Sequence, residues 1–335
     1  MTLNFALIGA GRIGKVHAQA VMTAIPEARI VSVADNDLPA AQSLAQTYGI
    51  PVFTHNHLEA IQQADVNAVI IASSTDTHAP FIIDAARAGR HIFCEKPIAA
   101  QLSTIDTALA AVDQAGVKLQ IGFNRRFDPS FARIKQAIEG GEIGIPHLLH
   151  IISRDPGPPP VAYIRVSGGI FFDMTIHDFD MARFLFGDVE EIYAAGGVLV
   201  DPAIGEAGDI DTALITLKFA NGAIGTIDNS RKAIYGYDQR VEVFGSRGSA
   251  SNTNLYPDAV TISDGATVRR ASLPLNFFLE RYQESYRAEL QAFVRAVVED
   301  APVPVTGQDG RVPVVMAMAA KQSYLHNRPV RLSEI

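Results

Sequence analysis

The sequence FALIGAGRIG, residues 5–14, decides the fold expected for this chain. Its first four residues are apolar, and the glycines that follow have the spacing Gly-x-Gly-x-x-Gly. We expect a strand, a tight turn and then a helix over Ile13–Thr23, which is the context that this motif requires. Gly9 would permit the turn, Gly11 would let a pyrophosphate approach the backbone, and Gly14 would let helix and strand pack closely. The free N–H groups at the start of the helix would bind the phosphates.

The next strand predicts which dinucleotide is bound. Arg29–Ala34 is rich in β-branched residues and ends at Asp35, where a ribose-binding acid is expected. A carboxylate there accepts hydrogen bonds from the ribose hydroxyls of NAD and repels the 2′-phosphate of NADP. Asn36 and Asp37 follow, so no arginine is placed to hold such a phosphate. The pattern predicts NAD; the alternative is a glycine turn in an α/β domain that binds no nucleotide.

Strands and helices continue to alternate as far as about residue 122, which predicts a parallel sheet with right-handed crossovers. The elements expected after Asp35 are, in order, the helix Pro39–Tyr48, the strand Ala68–Ala72, the helix Pro80–Ala88, the strand His91–Cys94, the helix Thr104–Ala115 and the strand Lys118–Gly122.

The pattern changes after Asn124, where one helix is followed by runs of strand character separated by Gly, Asn and Asp. The helix is Pro129–Glu139, and the strand runs are His147–Ser153, Glu191–Val200, Thr212–Phe219, Ala223–Asn229, Gln239–Phe244, Ala259–Ile262 and Thr267–Ala271. Two further helices, Tyr282–Glu299 and Val312–His326, close the chain, and we expect an irregular segment at Arg154–Pro160. The predicted fold class is an α/β domain, residues 1–123, followed by an α+β domain, residues 124–335, built on one large, mainly antiparallel open sheet.

Composition excludes several classes of protein. The chain has 335 residues, of which 48% are hydrophobic, so two packed domains are expected. A formal net charge of -8 argues against a nucleic-acid partner. No apolar stretch is long enough to span a membrane, and the first residues do not resemble a signal peptide. With one cysteine, Cys94, no intramolecular disulfide can form, and we expect a cytoplasmic protein.

Two groups of residues are candidates for catalysis or ligand binding. The first is Cys94-Glu95-Lys96-Pro97, at the carboxyl end of a predicted strand, where open parallel sheets bind ligands. Its alternative interpretation is a surface lysine in a turn. Pro97 allows a cis peptide bond. Cys94 itself is expected to be a small buried residue rather than a nucleophile.

The second group is the run from Asp173 to Asp180, which contains His177. If it is helical, the three side chains share one face, and the carboxylates would stabilise a charged imidazole and hold one tautomer. The alternative is that these are capping groups or metal ligands. We predict no metal, because no distant cysteine or histidine is evident as a further ligand.

These residues together resemble the Gfo/Idh/MocA family of oxidoreductases. The resemblance covers essentially the whole chain and depends on the glycine motif, on Glu95-Lys96-Pro97 and on GGIFFDMTIHDFD at 168–180. The segment Asp173–Arg183 is most similar to members that oxidise inositol, as are the short strings at 153–156, 235–238 and 286–290. The family implies a Rossmann domain that binds NAD and a second domain that binds substrate and supports oligomers, usually homotetramers.

The resemblance also implies roles for individual residues. Lys96, Asp173 and His177 correspond to the family's catalytic triad. The residues implied to contact the cofactor are Gly9, Gly11, Arg12, Ile13, Gly14, Asp35, Ser73, Thr75, His78, Glu95 and Lys96. Those implied to contact substrate, besides Asp173 and His177, are Arg126, Asp155, Asp180 and Tyr237.

The implied reaction is NAD-dependent oxidation of myo-inositol to 2-keto-myo-inositol (scyllo-inosose). His177 would be the general base, since its pKa lies nearest neutral pH, and Lys96 would stabilise alkoxide character on the reacting oxygen. Alternatives are a dehydrogenase of scyllo-inositol, another cyclitol or an aldose, a metal-dependent polyol dehydrogenase, and an NAD-binding sensor without activity. The intact triad argues against the sensor, which needs no proton transfer.

Overall fold

A computed structural model of the chain describes residues 2–335, and they form two compact units. The first unit combines the residues up to Phe127 with Gln283–Val314, and the second combines Asp128–Tyr282 with Val315–Ile335. The domain boundary predicted between residues 123 and 124 stays a prediction. The compact units divide the chain differently, because the first unit extends to Phe127 and also includes Gln283–Val314.

The first unit contains a six-stranded parallel sheet in the order β3-β2-β1-β4-β5-β6. Its strands are β1 (Leu3–Ile8), β2 (Ala28–Ala34), β3 (Val52–Thr54), β4 (Ala68–Ile71), β5 (His91–Glu95) and β6 (Leu119–Gly122). Its first helices are α1 (Arg12–Ala24), α2 (Leu38–Tyr48), α3 (His57–Ile61), α4 (Thr75–Arg87) and α5 (Leu102–Ala115), and a short 3-10 helix spans Asn124–Phe127. The order reverses between β1 and β4, which is where doubly wound sheets bind ligands.

The core of this unit needs a helix from the far end of the chain. All six residues of β1 are buried, because a parallel sheet is covered on both faces. Part of the cover is a late helix, α12 (Gln283–Val298), whose Phe293 ring lies 6.0 Å from the rings of both Phe5 and Phe93. This long-range packing explains why a single cut in the sequence does not separate the two units.

The second unit is built on a seven-stranded sheet in the order β12-β11-β7-β10-β9-β8-β15. Its strands are β7 (Pro146–Arg154), β8 (Val189–Gly197), β9 (Thr212–Phe219), β10 (Ile224–Ser230), β11 (Asp238–Gly245), β12 (Gly248–Ser251) and β15 (Val330–Arg331). The β7–β10 pair is parallel and the other pairs are antiparallel, so the predicted mainly antiparallel sheet and the fold class are confirmed.

Seven further α-helices and one hairpin are present in the described part of the chain. The helices are α6 (Pro129–Glu139), α7 (Val161–Ser167), α8 (Ile170–Asp173), α9 (Ile176–Phe186), α10 (Pro202–Glu206), α11 (Phe278–Arg281) and α13 (Gly307–His326), and the hairpin is β13 (Thr261–Ile262) with β14 (Arg270–Ala271). In the large sheet, residues alternate between a buried and an exposed face, as in β9, where Ile215 and Leu217 are buried while Leu214 and Thr216 are exposed.

The structure corrects several of the predicted elements. The last two predicted strands form their own small hairpin instead of joining the large sheet. The run 173–180 is not one helix, because α8 ends at Asp173 and α9 begins at Ile176. The helix α4 begins at Thr75, with Pro80 inside it. The elements that were not predicted are β3, β12, β15, α3, α7, α8, α10 and α11. Among residues 2–335, no helix has the length and apolar character to cross a membrane.

Candidate active site

The glycine turn at the end of β1 leaves no room for side chains at two of its three glycines. Gly9 has φ +103°, and a Cβ there would lie 2.5 Å from the Ala72 carbonyl oxygen. A Cβ at Gly14 would lie 1.9 Å from the Gly9 carbonyl oxygen, so α1 can approach the strand this closely only with glycine. At Gly11, by contrast, no atom beyond the adjoining residues of the chain lies within 4 Å of such a Cβ. The open position therefore faces space that a phosphate group can occupy beside the N-terminus of α1.

Asp35 lies directly after β2, and its side chain turns towards the glycine turn. Its Oδ2 accepts a 2.6 Å hydrogen bond from the Ala10 N–H, and its Oδ1 accepts a 2.8 Å bond from the Asp37 N–H. Each carboxylate oxygen retains acceptor capacity for a further hydroxyl group. Asn36 and Asp37 are exposed, and neither carries positive charge.

His78 joins two loops at the carboxyl ends of β4 and β5. Its ring is 2% exposed, with Nδ1 2.8 Å from the Pro97 carbonyl oxygen and Nε2 3.1 Å from the Ser73 carbonyl oxygen. Burial lowers the pKa of His78, and a neutral ring donates from one nitrogen only. The neutral ring therefore hydrogen-bonds one of these two carbonyl groups and packs against the other, between the Ser73 loop and the Lys96–Pro97 peptide, which is cis.

In the second unit, a pair of glycines and a short helix position Asp173. Gly168 and Gly169 have φ values of +87° and +88°, and a Cβ at Gly169 would lie 2.7 Å from Oδ1 of Asp209. The same Oδ1 accepts the N–H of Ile170 at the start of α8. Glycine is required here because the chain turns in a left-handed conformation directly against a carboxylate.

Asp173 is held by two side chains that come from other segments of this unit. Its Oδ2 accepts a 3.0 Å hydrogen bond from Nη1 of Arg231, and its Oδ1 accepts a 3.0 Å bond from the Tyr163 hydroxyl. Arg231 is 1% exposed and also bonds Asp209, so one buried guanidinium bridges two carboxylates. Partial burial, and then the nearby Asp173 charge, raise the pKa of Tyr163, which therefore stays protonated and donates.

His177 lies in the first turn of α9, after the two-residue break that separates it from Asp173. The next residue, Asp178, is fully buried and accepts a 2.9 Å hydrogen bond from the Asn229 amide. Asn229 in turn accepts a 2.6 Å bond from the Thr175 hydroxyl. This buried hydrogen-bond network connects the start of α9 to β10 and fixes the backbone position of His177.

Two family-model matches cover most of the chain. A model described as "Oxidoreductase family, NAD-binding Rossmann fold" matches residues 3–123, and the "GFO/IDH/MocA C-terminal domain" matches residues 131–251. The chain belongs to the Gfo/Idh/MocA family. It is an NAD-dependent oxidoreductase that acts on a CH–OH group.

Relatives with assigned substrates in this family align over nearly the whole chain. It is 46% identical to a myo-inositol 2-dehydrogenase of Thermotoga maritima, over 99% of each sequence. It is 37% identical to a scyllo-inositol 2-dehydrogenase (NAD(+)) of Bacillus subtilis, over 98% of this chain and 95% of that one. The crystal structure of scyllo-inositol dehydrogenase from Lactobacillus casei, with NAD(H) and scyllo-inositol bound, matches with a TM-score of 0.93 at 27% identity, covering 99% of this chain and all (100%) of that one.

The site residues predicted from this family resemblance fall in both units. Within the first, the structure brings Asp35 to the glycine turn and joins the Ser73 and Pro97 loops through His78. Arg12 and Ile13 begin α1, Thr75 begins α4, and Glu95 and Lys96 end β5 or follow it. Arg126 also belongs to this unit, with Nη2 3.1 Å from Oδ1 of Asp309.

Within the second unit, Asp173 and His177 lie on either side of the helix break, and Asp180 is fully buried in α9. Asp155 follows β7, where its N–H donates to the Ser230 carbonyl. Tyr237 is 7% exposed and packs edge-on against Tyr282. Sequence reasoning missed Arg231, although the two-residue period of β10 places it on the same buried face as Ile227 and Asn229.

Proposed function

We propose that this protein catalyses the NAD-dependent oxidation of myo-inositol to 2-keto-myo-inositol (scyllo-inosose). The observation that carries the proposal is the 46% identity to a myo-inositol 2-dehydrogenase over 99% of both sequences. The corresponding identity to a scyllo-inositol 2-dehydrogenase is 37%, which favours the myo isomer.

The first unit fits NAD by its own geometry. The open face of Gly11 and the N-terminus of α1 suit a pyrophosphate, and Asp35 suits a ribose diol. When bound, NAD+ supplies the acceptor for the hydride that leaves the substrate carbon. The protein's own residues have to bind the polyol, hold it in one orientation and take the proton from its reacting hydroxyl.

His177 is the general base in this proposal. An imidazole titrates near neutral pH, so it can take a hydroxyl proton and later release it to water. Lys96 would donate a hydrogen bond to the reacting oxygen and stabilise its developing negative charge. Asp173 would orient a neighbouring substrate hydroxyl, and Arg231 and Tyr163 restrict it to one rotamer for that purpose.

Substrate discrimination requires several polar side chains, because isomeric cyclitols differ only in the directions of their hydroxyls. A wrong isomer leaves buried polar groups unpaired, which can reduce kcat/KM by several powers of ten. We assign this role to Arg126, Asp155, Asp180 and Tyr237 on the family resemblance. Asp180 and Tyr237 are buried, so an unpaired partner there would be costly.

The test compares kcat/KM for myo-inositol, scyllo-inositol and glucose with NAD+ by following NADH absorbance. We expect myo-inositol to be the best substrate, with at most weak activity on glucose. A preference for scyllo-inositol would overturn the isomer, and a preference for glucose would move the enzyme to the aldose dehydrogenases. No turnover of any polyol would favour the NAD-binding sensor, and loss of activity on chelation would indicate a metal-dependent enzyme.

We further propose a homotetramer whose subunits meet through the exposed face of the seven-stranded sheet. On that face, Phe244 and Ile224 flank Leu148 in register on three adjacent strands, and they are 47% and 49% exposed. An apolar row of this kind is unfavourable in water and is covered when a second copy packs on it. We expect the enzyme in the cytoplasm, where its cosubstrate NAD+ is available, and cell fractionation tests this location.

A further inference from the structure

Three titratable side chains converge inside the first unit, below the carboxyl end of β5. His17 comes from α1, Glu95 from the last position of β5, and Glu289 from α12. Nε2 of His17 lies 2.7 Å from Oε1 of Glu95, and the potential ligand atoms of all three residues lie within 4.8 Å of one another. His17 and Glu289 are both 0% exposed, whereas the Glu95 side chain is 12% exposed, so two of the three members are shielded from water.

Glu289 differs from the other two because neither of its carboxyl oxygens has a hydrogen-bond partner among the described residues. The side chain of Gln120 bonds only the Glu289 backbone carbonyl. Arg125, on the 3-10 helix packed against α12, donates no hydrogen bond to the Glu289 carboxyl group. An isolated buried carboxylate is so unfavourable that such a group normally neutralises instead.

The charges in the cluster also favour a neutral Glu289 carboxyl group. His17 is the one group in it that can carry positive charge, and its Nε2 faces Glu95. Two ionised carboxyl groups would therefore share at most one cation within the cluster, and the fully buried Glu289 would have no solvent to stabilise its charge. Burial raises the pKa of Glu289 well above its ordinary value, and the negative charge of Glu95 raises it further.

Glu95 is confined by its neighbours and directly precedes Lys96. A Cβ at Gly122, on the adjacent strand, would lie 3.2 Å from the Glu95 carboxyl carbon, so glycine provides the space that this side chain fills. His17 fixes one carboxylate oxygen, and a proton on Glu289 would give the cluster a second donor. The rotamer of Glu95 thus depends on residues from α1, β6 and α12.

We propose that Glu289 carries a proton at neutral pH and that it acts, together with His17, as a positioning residue for the Glu95 carboxylate beside the NAD site. This inference rests on the proposed assignment of Glu95 and Lys96 to cofactor binding. Glu289 touches neither substrate nor cofactor in this role. It supplies a neutral donor where a second buried anion would repel Glu95.

The first experiment detects the proton itself. A difference infrared spectrum at pH 7 between the wild-type holoenzyme and Glu289→Gln should contain the carbonyl band of a protonated carboxylic acid, which carboxylates lack. Glu284→Gln on the exposed face of the same helix is the control and should show only the loss of a carboxylate. If no protonated-acid band distinguishes wild type from Glu289→Gln, the inference is wrong.

The second experiment measures NAD+ affinity by calorimetry, without any polyol. Glu289→Ala should weaken NAD+ binding by about 10–100-fold, because it removes the neutral group that lies beside the Glu95 carboxylate and limits its position. Glu289→Gln keeps a neutral donor of the same size and should recover most of that loss. Equal loss in both variants, together with a stoichiometric divalent metal in the wild type that is absent from both, would replace the inference with a His17–Glu95–Glu289 metal site.

These readouts are independent of the substrate assignment. If no cyclitol is oxidised but the infrared band and the affinity pattern appear, the proposed function fails and the role of Glu289 stands. If myo-inositol is oxidised but Glu289→Ala binds NAD+ as the wild type does, the role of Glu289 fails and the proposed function stands.

Discussion

His177, in the first turn of α9, is the side chain on which the proposed proton transfer depends. His177→Ala should lower kcat by about 10²–10⁴-fold, because the hydroxyl proton then has no positioned acceptor. NAD+ affinity should barely change, since His177 is assigned to proton transfer and is not among the residues assigned to the cofactor. Steady-state kinetics with myo-inositol and calorimetry with NAD+ measure the two effects separately. The matched control is His55→Ala, which changes an exposed histidine in a loop and should leave turnover normal. If His177→Ala also turned over normally, His177 would not be the general base.

Asp35 should decide the choice between NAD and NADP. Replacing it by serine and adding positive charge, as Asp35→Ser with Asn36→Arg, should lower kcat/KM for NAD+ by about 10–100-fold through lost bonds to a charged acceptor. The same change should introduce use of NADP+, because the repulsion of the 2′-phosphate is gone. Asn36→Arg alone is the control and should still prefer NAD+. A wild-type enzyme that uses both cofactors equally would contradict this assignment.

At the scale of one element, the turn between β1 and α1 contains glycines with two different roles. Gly14 is needed for packing, and Gly11 is proposed to leave space for the ligand. Gly14→Ala should destabilise the unit by about 1–3 kcal/mol, because its Cβ would overlap the Gly9 carbonyl. Gly11→Ala should leave the melting temperature unchanged, since the site is sterically open and its φ of -71° suits alanine. The same Cβ would enter the space proposed for the pyrophosphate and weaken NAD+ binding by about tenfold or more. Thermal melts of the apoprotein and NAD+ titrations test the pair, and equal melting temperatures for the two variants would contradict it.

Elements with a local signal were predictable from the sequence, and elements set by distant packing were not. Strand β9 was predicted with its observed bounds because apolar and polar residues alternate along it. The run 173–180 was predicted as continuous if helical, since residue spacing alone does not reveal the break after Asp173. The β13–β14 hairpin has strand-like residues, yet nothing in its composition indicates that it stays apart from the large sheet.

The same distinction applies to the candidate site. The glycine motif and Asp35 were predictable because their geometry is confined to one strand–turn–helix unit and the strand after it. Arg231 was missed because its partners, Asp173 and Asp209, come from other segments of the chain. The burial of Glu289 could have been predicted from its position in the helical pattern. It lies on the stripe of α12 that includes Tyr286, Leu290 and Phe293, and a carboxylate on an apolar stripe is unusual.

At the scale of the whole molecule, the exposed face of the large sheet should determine the assembly. Ile224→Lys combined with Phe244→Glu should convert the proposed tetramer to smaller species, because both charges would have to be buried between subunits. Light scattering coupled to size-exclusion chromatography measures the mass. The control, Leu325→Lys, changes another exposed apolar side chain, on α13, and should leave the mass unchanged. A double variant that keeps the wild-type mass would exclude this face as the interface.

The helix α12 has a consequence for how the chain is made. Leu290, Phe293 and Val294 complete the apolar core around β1, so the core of the nucleotide-binding unit cannot be complete until the ribosome has released α12, which ends at Val298. Its first strands therefore emerge with part of their apolar surface uncovered, and the usual order in which an N-terminal domain folds first during synthesis does not apply in full. A nonsense mutation anywhere before α12 would leave the parallel sheet of this unit without part of its apolar cover, even though every residue of the glycine motif had been translated.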